Sequence, residues 1–132
     1  MRRGAQRRET KEAKDMRIGI LLLSSPYQTQ DVDSMMHFVE AALAKGHEIV
    51  GIFLYTDGVY NLNAKIKSPG ERNLAEMLDA IGSRDIPVVG CGVCAKFRGV
   101  TKTETIENGK LGGLGALDGY LERCDRFVTF GG

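Results

Sequence analysis

The chain has 132 residues, enough for one domain with its own hydrophobic core and too few for two. Hydrophobic residues make up 42% of it and charged residues 27%, which is the profile of an ordinary globular domain. The formal net charge of +1 argues against the strongly basic surface of a nucleic-acid-binding or membrane-surface protein, and no apolar run approaches the roughly 20 residues that cross a bilayer.

Residues 1–15 differ from the rest of the chain, because they are rich in Arg, Lys and Glu and hold almost nothing apolar. Such a segment cannot offset its ordering entropy by burial. We therefore expect a charged, flexible N-terminal tail at residues 1–15 and a single α/β domain at residues 16–132.

From residue 17 onward, short apolar runs alternate with segments of helical periodicity. The runs at residues 18–23, 48–55, 86–90 and 126–130 are typical of buried strands. Helical spacing of apolar residues predicts three helices, containing Val32, Met35, Met36, Val39 and Leu43, then Leu74, Met77, Leu78 and Ile81, and finally Leu114, Leu117 and Leu121. We expect a polar, irregular connection over residues 55–67.

Short sequence patterns also indicate where the last two helices begin. Ser68, followed by Pro69 and by Glu71 three residues on, predicts the start of the second helix through a capping box. The glycine-rich residues 112–115 do not follow a predicted strand, so we interpret them as a flexible entry to the last helix rather than a phosphate-binding loop.

Strands that alternate with helices predict an α/β fold of three layers, with a mostly parallel sheet, helices on both faces and a flavodoxin-like outline. Ligands bind such sheets outside the carboxyl ends of the strands. The loops at residues 24–30 and 55–63 leave that edge, as does the segment that begins at residue 91. We expect these loops to surround Cys91 with a pocket of supporting side chains: Tyr27, Gln28, Thr29, Asp57 and Tyr60.

Cys91 ends the third predicted strand and lies between two glycines. A helix that begins just after it would direct free backbone N–H groups at the sulfur, and Lys96 and Arg98 would add positive charge. Such surroundings lower the pKa of a thiol, and the thiolate is the nucleophilic form. A free cysteine is also commonly a small buried core residue, but the strand end, the glycines and the basic neighbours favour a catalytic Cys91.

Cys94 completes a Cys-x-x-Cys pattern with Cys91, which is compatible with a redox dithiol, half of a zinc site, or one active cysteine with a neighbour. The other candidate zinc ligands are Cys124, His37 and His47. Cys124 and His47 precede strands and belong at the opposite edge of the sheet, and His37 lies within a helix. We therefore expect no metal and no cofactor, and a Cys124 that is packed structure.

The chain has three cysteines, and an odd, low number does not make a disulfide framework. The beginning of the sequence lacks the apolar segment of a secretory signal. Both features predict a cytoplasmic location, where cysteines stay reduced.

Several segments, in order, resemble the DsrE-like family of sulfurtransferases, most closely its TusD and DsrE branch. The resemblance spans residues 16–130 and rests on the first strand and loop, the second strand and loop, the spacing from Cys91 to the Arg98-Gly99 pair, and residues 113–117 and 124–126. It implies that Cys91 is the reactive cysteine, which becomes a persulfide and hands its sulfur to a cysteine of a partner protein.

The resemblance further implies sulfur-donor and sulfur-acceptor proteins, a pathway of the tRNA-thiolation or sulfur-oxidation type, and a homo- or hetero-oligomer (trimer or hexamer) of DsrE-like subunits. The near-neutral charge and the lack of a long apolar run predict no direct contact with nucleic acid or membrane. Cys94 departs from the family pattern, and could resolve the persulfide as an internal disulfide or act as a second acceptor. Two alternatives stay open: a Cys91/Cys94 thiol–disulfide oxidoreductase, and a non-catalytic assembly subunit of a DsrEFH- or TusBCD-like complex.

Overall fold

The computed structural model describes residues 16–132, so the tail expected at residues 1–15 lies outside the described residues. Within residues 16–132 the strands form one parallel sheet in the order β4-β3-β2-β1-β5. The strands are β1 (Arg17–Leu22), β2 (Glu48–Leu54), β3 (Val88–Cys91), β4 (Lys110–Gly112) and β5 (Arg126–Phe130). The α-helices are α1 (Asp31–Ala44), α2 (Leu74–Gly82), α3 (Gly92–Arg98) and α4 (Leu114–Arg123).

The predicted three-layer α/β architecture is confirmed. Strands β1 to β3 step across the sheet in one direction, so right-handed crossovers place α1 and α2 on the same face. The chain then returns to put β5 beside β1, which brings α4 to the opposite face. A Cβ added to Gly51 would lie 2.2 Å from the Tyr120 ring, so α4 packs directly on β2. Phe38 of α1 contacts Phe130 on the other face, with ring centroids 5.6 Å apart.

The core lies on both sides of the central strands. Six of the seven residues of β2 are buried, because both faces of this strand are covered, and this is why it reads as a continuous apolar run. Phe53, Leu22 and Met35 are fully buried, and the same core extends to Cys91 at the end of β3.

The predicted start of the second helix at Ser68 is wrong. Residues 68–71 form a turn in which the Glu71 N–H donates to the Ser68 carbonyl at 3.0 Å, and Gly70 adopts a left-handed φ of +75° that a helix cannot continue. The helix begins at Leu74 instead. Asn73 caps it, because the Asn73 side chain accepts a hydrogen bond from the Glu76 N–H at 3.0 Å.

Two connections contain structure that the sequence reasoning missed. The glycine-rich segment does follow a strand, since β4 ends at Gly112; with three residues at the sheet edge, β4 has too short an apolar pattern to be recognised. The expected irregular connection after β2 contains a 3-10 helix, Thr56–Leu62. Its Asn61 is fully buried and donates to the carbonyls of Ser24 and Gly58, both at 2.9 Å, which ties this helix to the loop after β1.

Candidate functional site

Cys91 is the last residue of β3 and the N-cap of α3, as expected from its position between two glycines. The residue is buried, with 6% of its surface exposed. Its sulfur accepts a hydrogen bond from the backbone N–H of Cys94 at 3.5 Å. The turn from strand to helix therefore holds the sulfur at the carboxyl edge of the sheet, where parallel α/β proteins bind ligands.

The environment of Cys91 favours its thiolate. Burial of the thiol opposes ionisation, but hydrogen bonds from the backbone and side chain of Cys94 oppose that effect. The Val93 N–H and the positive charge of Arg98 act in the same direction as Cys94. The net result is that the pKa of Cys91 lies below its ordinary value, which gives this thiol the property that a nucleophile needs.

Cys94 shows the opposite behaviour. Burial and the hydrogen bond to Cys91 both raise the pKa of the Cys94 thiol, and a hydrogen bond from the Thr56 N–H only partly offsets them. The opposite directions of the two pKa shifts favour ionisation of Cys91 over ionisation of Cys94.

Thr56, which directly follows the loop residue Tyr55, is a part of the site that sequence reasoning missed. Its backbone N–H donates to the Cys94 sulfur at 3.3 Å. Thr56 adopts a φ of +49°, which is rare for a β-branched residue, and its hydroxyl donates to the carbonyls of Tyr55 and Leu23. A β-branched residue carries no sequence signal for a left-handed conformation, so only the structure could identify this contact.

Arg98 is the cation of the site. Its Nε donates to Asp57 at 2.7 Å and its Nη1 donates to the Cys94 carbonyl at 3.1 Å. Three-quarters of the Arg98 side chain is buried, whereas Asp57 is exposed. The hydrogen bond to Asp57 and, to a lesser degree, the nearby Tyr60 raise the pKa of Arg98. The predicted residues Asp57, Tyr60 and Arg98 are thus gathered beside the two cysteines.

A cleft of about 440 Å³ adjoins this group at the carboxyl edge of β1 and β2. Its lining includes the predicted residues Gln28, Thr29 and Asp57, together with Thr56. Gln28 accepts a hydrogen bond from Ser25 at 3.1 Å, and Thr29 donates to Asp31 at 2.8 Å, so the loop after β1 is internally braced. The cleft is open to solvent and adjoins the cysteine pair through Thr56 and Asp57.

Two predicted site residues are engaged elsewhere. The Tyr27 hydroxyl donates to the Arg72 carbonyl at 2.7 Å and accepts from the Leu74 N–H at 2.9 Å, so it holds the N-terminus of α2. Lys96 lines a separate cleft between α3 and β4, together with Lys102. The structure therefore brings neither the Tyr27 hydroxyl nor the Lys96 ammonium group into the contacts of Cys91 and Cys94.

The residues considered as zinc ligands lie apart, as expected. Cys124 is the C-cap of α4, at the edge of the sheet opposite Cys91. His47 accepts a hydrogen bond from the Met16 N–H at 3.2 Å, and His37 lies beside Asp33 on α1. Within residues 16–132, no group of three or more His, Cys, Asp or Glu side chains is arranged to hold a metal ion.

Apolar side chains are exposed on α3 next to Cys91. Val93 is 63% exposed and Phe97 is 84% exposed, and they share one face because they are four residues apart on the helix. Leu114 and Leu121 on α4 are also about half exposed. Among the helices of residues 16–132, none has both the length and the apolar character required to cross a membrane.

Comparison with known proteins gives consistent results. Residues 16–130 match the DsrE/DsrF-like family. Sulfurtransferase TusD of Enterobacter sp. (strain 638) is 34% identical over 129 residues, which cover 87% of this chain and 100% of that protein. DsrE of Allochromatium vinosum, whose name assigns it to the same class of enzyme, is 33% identical over 129 residues, covering 88% of this chain and 99% of DsrE.

Solved structures support the fold. The ychN protein from E. coli superposes with a TM-score of 0.79 at 22% identity and covers 87% of this chain and 99% of its own. MTH1491 from Methanobacterium thermoautotrophicum, a protein of unknown function, has a TM-score of 0.65 at 14% identity, covering 86% of this chain and 99% of its own. The chain belongs to the DsrE/DsrF-like family, and its named relatives support a role in sulfur relay.

Proposed function

We propose that this DsrE/DsrF-like protein accepts sulfane sulfur on Cys91 as a persulfide and passes it to a cysteine of a partner protein. The observation that supports this most directly is the Cys91 thiol itself, which has a lowered pKa and ends a strand at the ligand-binding edge of the sheet. A cysteine that served only as core packing would not need the hydrogen bonds that favour its thiolate.

The transfer occurs in two displacements. The Cys91 thiolate attacks the terminal sulfane sulfur of the donor, the donor's sulfur–sulfur bond breaks, and the donor leaves with the electron pair. A partner thiolate then attacks the outer sulfur of the persulfide, and Cys91 leaves as a thiolate. A low thiol pKa favours departure of Cys91 in the second step as well as its ionisation before the first.

The surrounding residues take supporting roles in this proposal. Arg98 stabilises negative charge on the sulfur atoms, and Asp57 holds the guanidinium in place. Gln28, Thr29 and Tyr60 flank the approach to the cysteine pair. A pathway of the tRNA-thiolation or sulfur-oxidation type would supply donor and acceptor proteins, and the reducing cytoplasm would keep these thiols ready for transfer.

We further propose that the exposed face of α3 contacts another DsrE-like subunit, in a homo- or hetero-oligomer such as a trimer or hexamer. Val93 and Phe97 are largely exposed and follow Cys91 directly in the chain, so a subunit that covered them would also form a wall of the site. Phe97→Glu should therefore lower the oligomeric mass measured by light scattering, whereas Leu114→Glu tests whether α4 belongs to the same interface. An unchanged mass in both variants would contradict the proposed contact.

A thiol–disulfide oxidoreductase is the second candidate, because Cys91 and Cys94 lie across one turn of α3 and their pKa values move in opposite directions. An oxidoreductase would pass electrons to a partner's disulfide and would depend equally on both cysteines. A sulfur carrier needs Cys91 for transfer and can dispense with Cys94.

The deciding experiment is intact-mass spectrometry after brief incubation with inorganic polysulfide and removal of the excess. The parent protein and Cys124→Ser, the matched control at the opposite edge of the sheet, should each gain one sulfur atom that cyanide removes as thiocyanate. Cys91→Ser should gain none. The assignment fails if Cys91→Ser still acquires cyanide-labile sulfur on another thiol. It also fails if the parent protein immediately loses two hydrogens and no form of the protein gains a sulfur atom.

A further inference from the structure

Two hydrogen bonds hold Cys94 in place, one to its sulfur and one to its carbonyl oxygen. Its sulfur accepts the Thr56 N–H at 3.3 Å, and its carbonyl accepts Arg98 Nη1 at 3.1 Å. Thr56 makes the first contact while it adopts a left-handed conformation, which is unfavourable for a β-branched residue. The fold thus maintains strain at a residue whose N–H is directed at the second thiol rather than at Cys91.

The two cysteines are placed for a bond between their sulfur atoms. They are three residues apart across the first turn of α3, and helix geometry places Cα atoms at that spacing about 5 Å apart. Disulfides join Cα atoms about 4.4 to 6.8 Å apart, so this turn can accommodate one with little backbone movement. The backbone N–H of Cys94 already donates to the Cys91 sulfur at 3.5 Å, which fixes the positions of the two residues relative to each other.

Addition of sulfur to Cys91 would weaken the effect that Cys91 has on the pKa of Cys94. In the free pair, burial of the Cys94 thiol and then the proximity of Cys91 raise that pKa. In a persulfide the ionisable group is the outer sulfur, and the inner sulfur of Cys91 is neutral. The influence of Cys91 on Cys94 therefore weakens, while the Thr56 N–H and the Arg98 charge, which favour the Cys94 thiolate, remain.

We propose that Cys94 is a resolving thiol that attacks the inner sulfur of the Cys91 persulfide, which gives a Cys91–Cys94 disulfide and releases hydrosulfide. This inference rests on the proposed loading of Cys91. The Cys94 sulfur–Cys91 sulfur bond forms, the bond between the inner and outer sulfur breaks, and the anionic outer sulfur leaves with the electron pair. It takes up the proton that the Cys94 thiol gives up and is released as HS⁻. The sulfane sulfur is reduced to sulfide while the two thiols are oxidised to a disulfide, so no other oxidant or reductant enters.

Resolution and relay differ in the sulfur atom that is attacked. A partner thiolate attacks the outer sulfur and leaves both cysteines reduced, whereas Cys94 can reach the inner sulfur and leaves a disulfide. The chain would thus discharge as sulfide any sulfur that no acceptor collects, and a dithiol reductant would return it to the reduced state. The chemical class of the added activity is reductive release of sulfide from sulfane sulfur.

The test follows loaded protein over time in the absence of acceptor. The parent protein, Cys94→Ser, Cys94→Ala and the control Cys124→Ser are loaded briefly with inorganic polysulfide, desalted, and sampled for intact mass and free sulfide. In the parent and in Cys124→Ser, the added sulfur should disappear with loss of two hydrogens and release of one sulfide per chain. Both Cys94 variants should retain the sulfur at least tenfold longer. Thermal unfolding confirms that the variants are folded.

The outcomes separate this inference from the proposed function. If the parent keeps its added sulfur as long as the Cys94 variants do, or loses it without forming a disulfide, Cys94 is not a resolving thiol although Cys91 still carries sulfur. If no form gains sulfur and the parent forms no disulfide, the loading of Cys91 fails and the inference fails with it. A disulfide in the parent with stable cyanide-labile sulfur in both Cys94 variants supports both.

Discussion

Removal of the Arg98 charge tests the electrostatic basis of the site. Arg98→Gln removes a positive charge that lowers the pKa of both thiols, so the pKa of Cys91 should rise. A unit charge a few ångströms from an ionising group, screened by a largely aqueous medium, changes its ionisation equilibrium by about fivefold. Below the pKa of both forms, the thiolate fraction of Cys91 should fall about fivefold.

The assay is the rate of iodoacetamide alkylation at Cys91 as a function of pH, resolved by peptide mass spectrometry. The Arg98→Gln profile should move to higher pH, and the rates of the two proteins should converge where both thiols are ionised. Lys96→Gln is the matched control, since it removes the same charge from the same helix but from the cleft shared with Lys102. An unchanged profile for Arg98→Gln, or an equal shift for Lys96→Gln, would refute the assignment of Arg98.

Two further predictions test the packing that positions the site. Gly51→Ala should destabilise the fold by about 1 to 3 kcal/mol in urea unfolding, because the new Cβ would overlap the buried ring of Tyr120. Gly115→Ala on α4 meets nothing within 4 Å and should instead gain about 0.5 to 1 kcal/mol. Asn73→Ala should lower the free energy of unfolding by about 1 kcal/mol through loss of the α2 cap. Ser68→Ala should change it by less than about 0.5 kcal/mol, and the reverse order of these two effects would contradict the observed cap.

The parts of the fold that follow from burial were predictable. The limits of β1 and β2 differ from the predicted ones by a residue or two, because continuous apolar runs distinguish strands covered on both faces. The limits of β5 agree with the predicted residues 126–130, although this edge strand has no buried residue. The edge strand β4 was missed because three half-exposed residues carry no such pattern. The start of α2 was misplaced because two capping patterns occur within six residues, and only the conformation of Gly70 decides between them.

The candidate site likewise has features that the sequence could predict and features that it could not. The position of Cys91 before α3 could be predicted, since a strand end, a flanking glycine and a following helix are all visible in the chain. The grouping of Asp57 with Arg98 followed from the topology of a parallel sheet. The contact between Thr56 and Cys94 could not, because it depends on one φ angle that local sequence does not disclose. Tyr27 occupies the expected loop, but its hydroxyl satisfies the first turn of α2.

Backbone strain alone does not identify a functional residue in this protein. Tyr27, Thr56 and Asp85 are the non-glycine residues with positive φ within residues 16–132, and the first two follow neighbouring strands at the carboxyl edge. Tyr27 lies in a loop whose hydroxyl contact completes a helix N-terminus, which is an architectural role. The Thr56 N–H donates to the Cys94 sulfur, and a thiol that is only packed in a core needs no such hydrogen bond. The atom that receives the hydrogen bond is therefore what separates the two cases, and under the proposed resolving role of Cys94 the Thr56 N–H would act on the thiol that reacts.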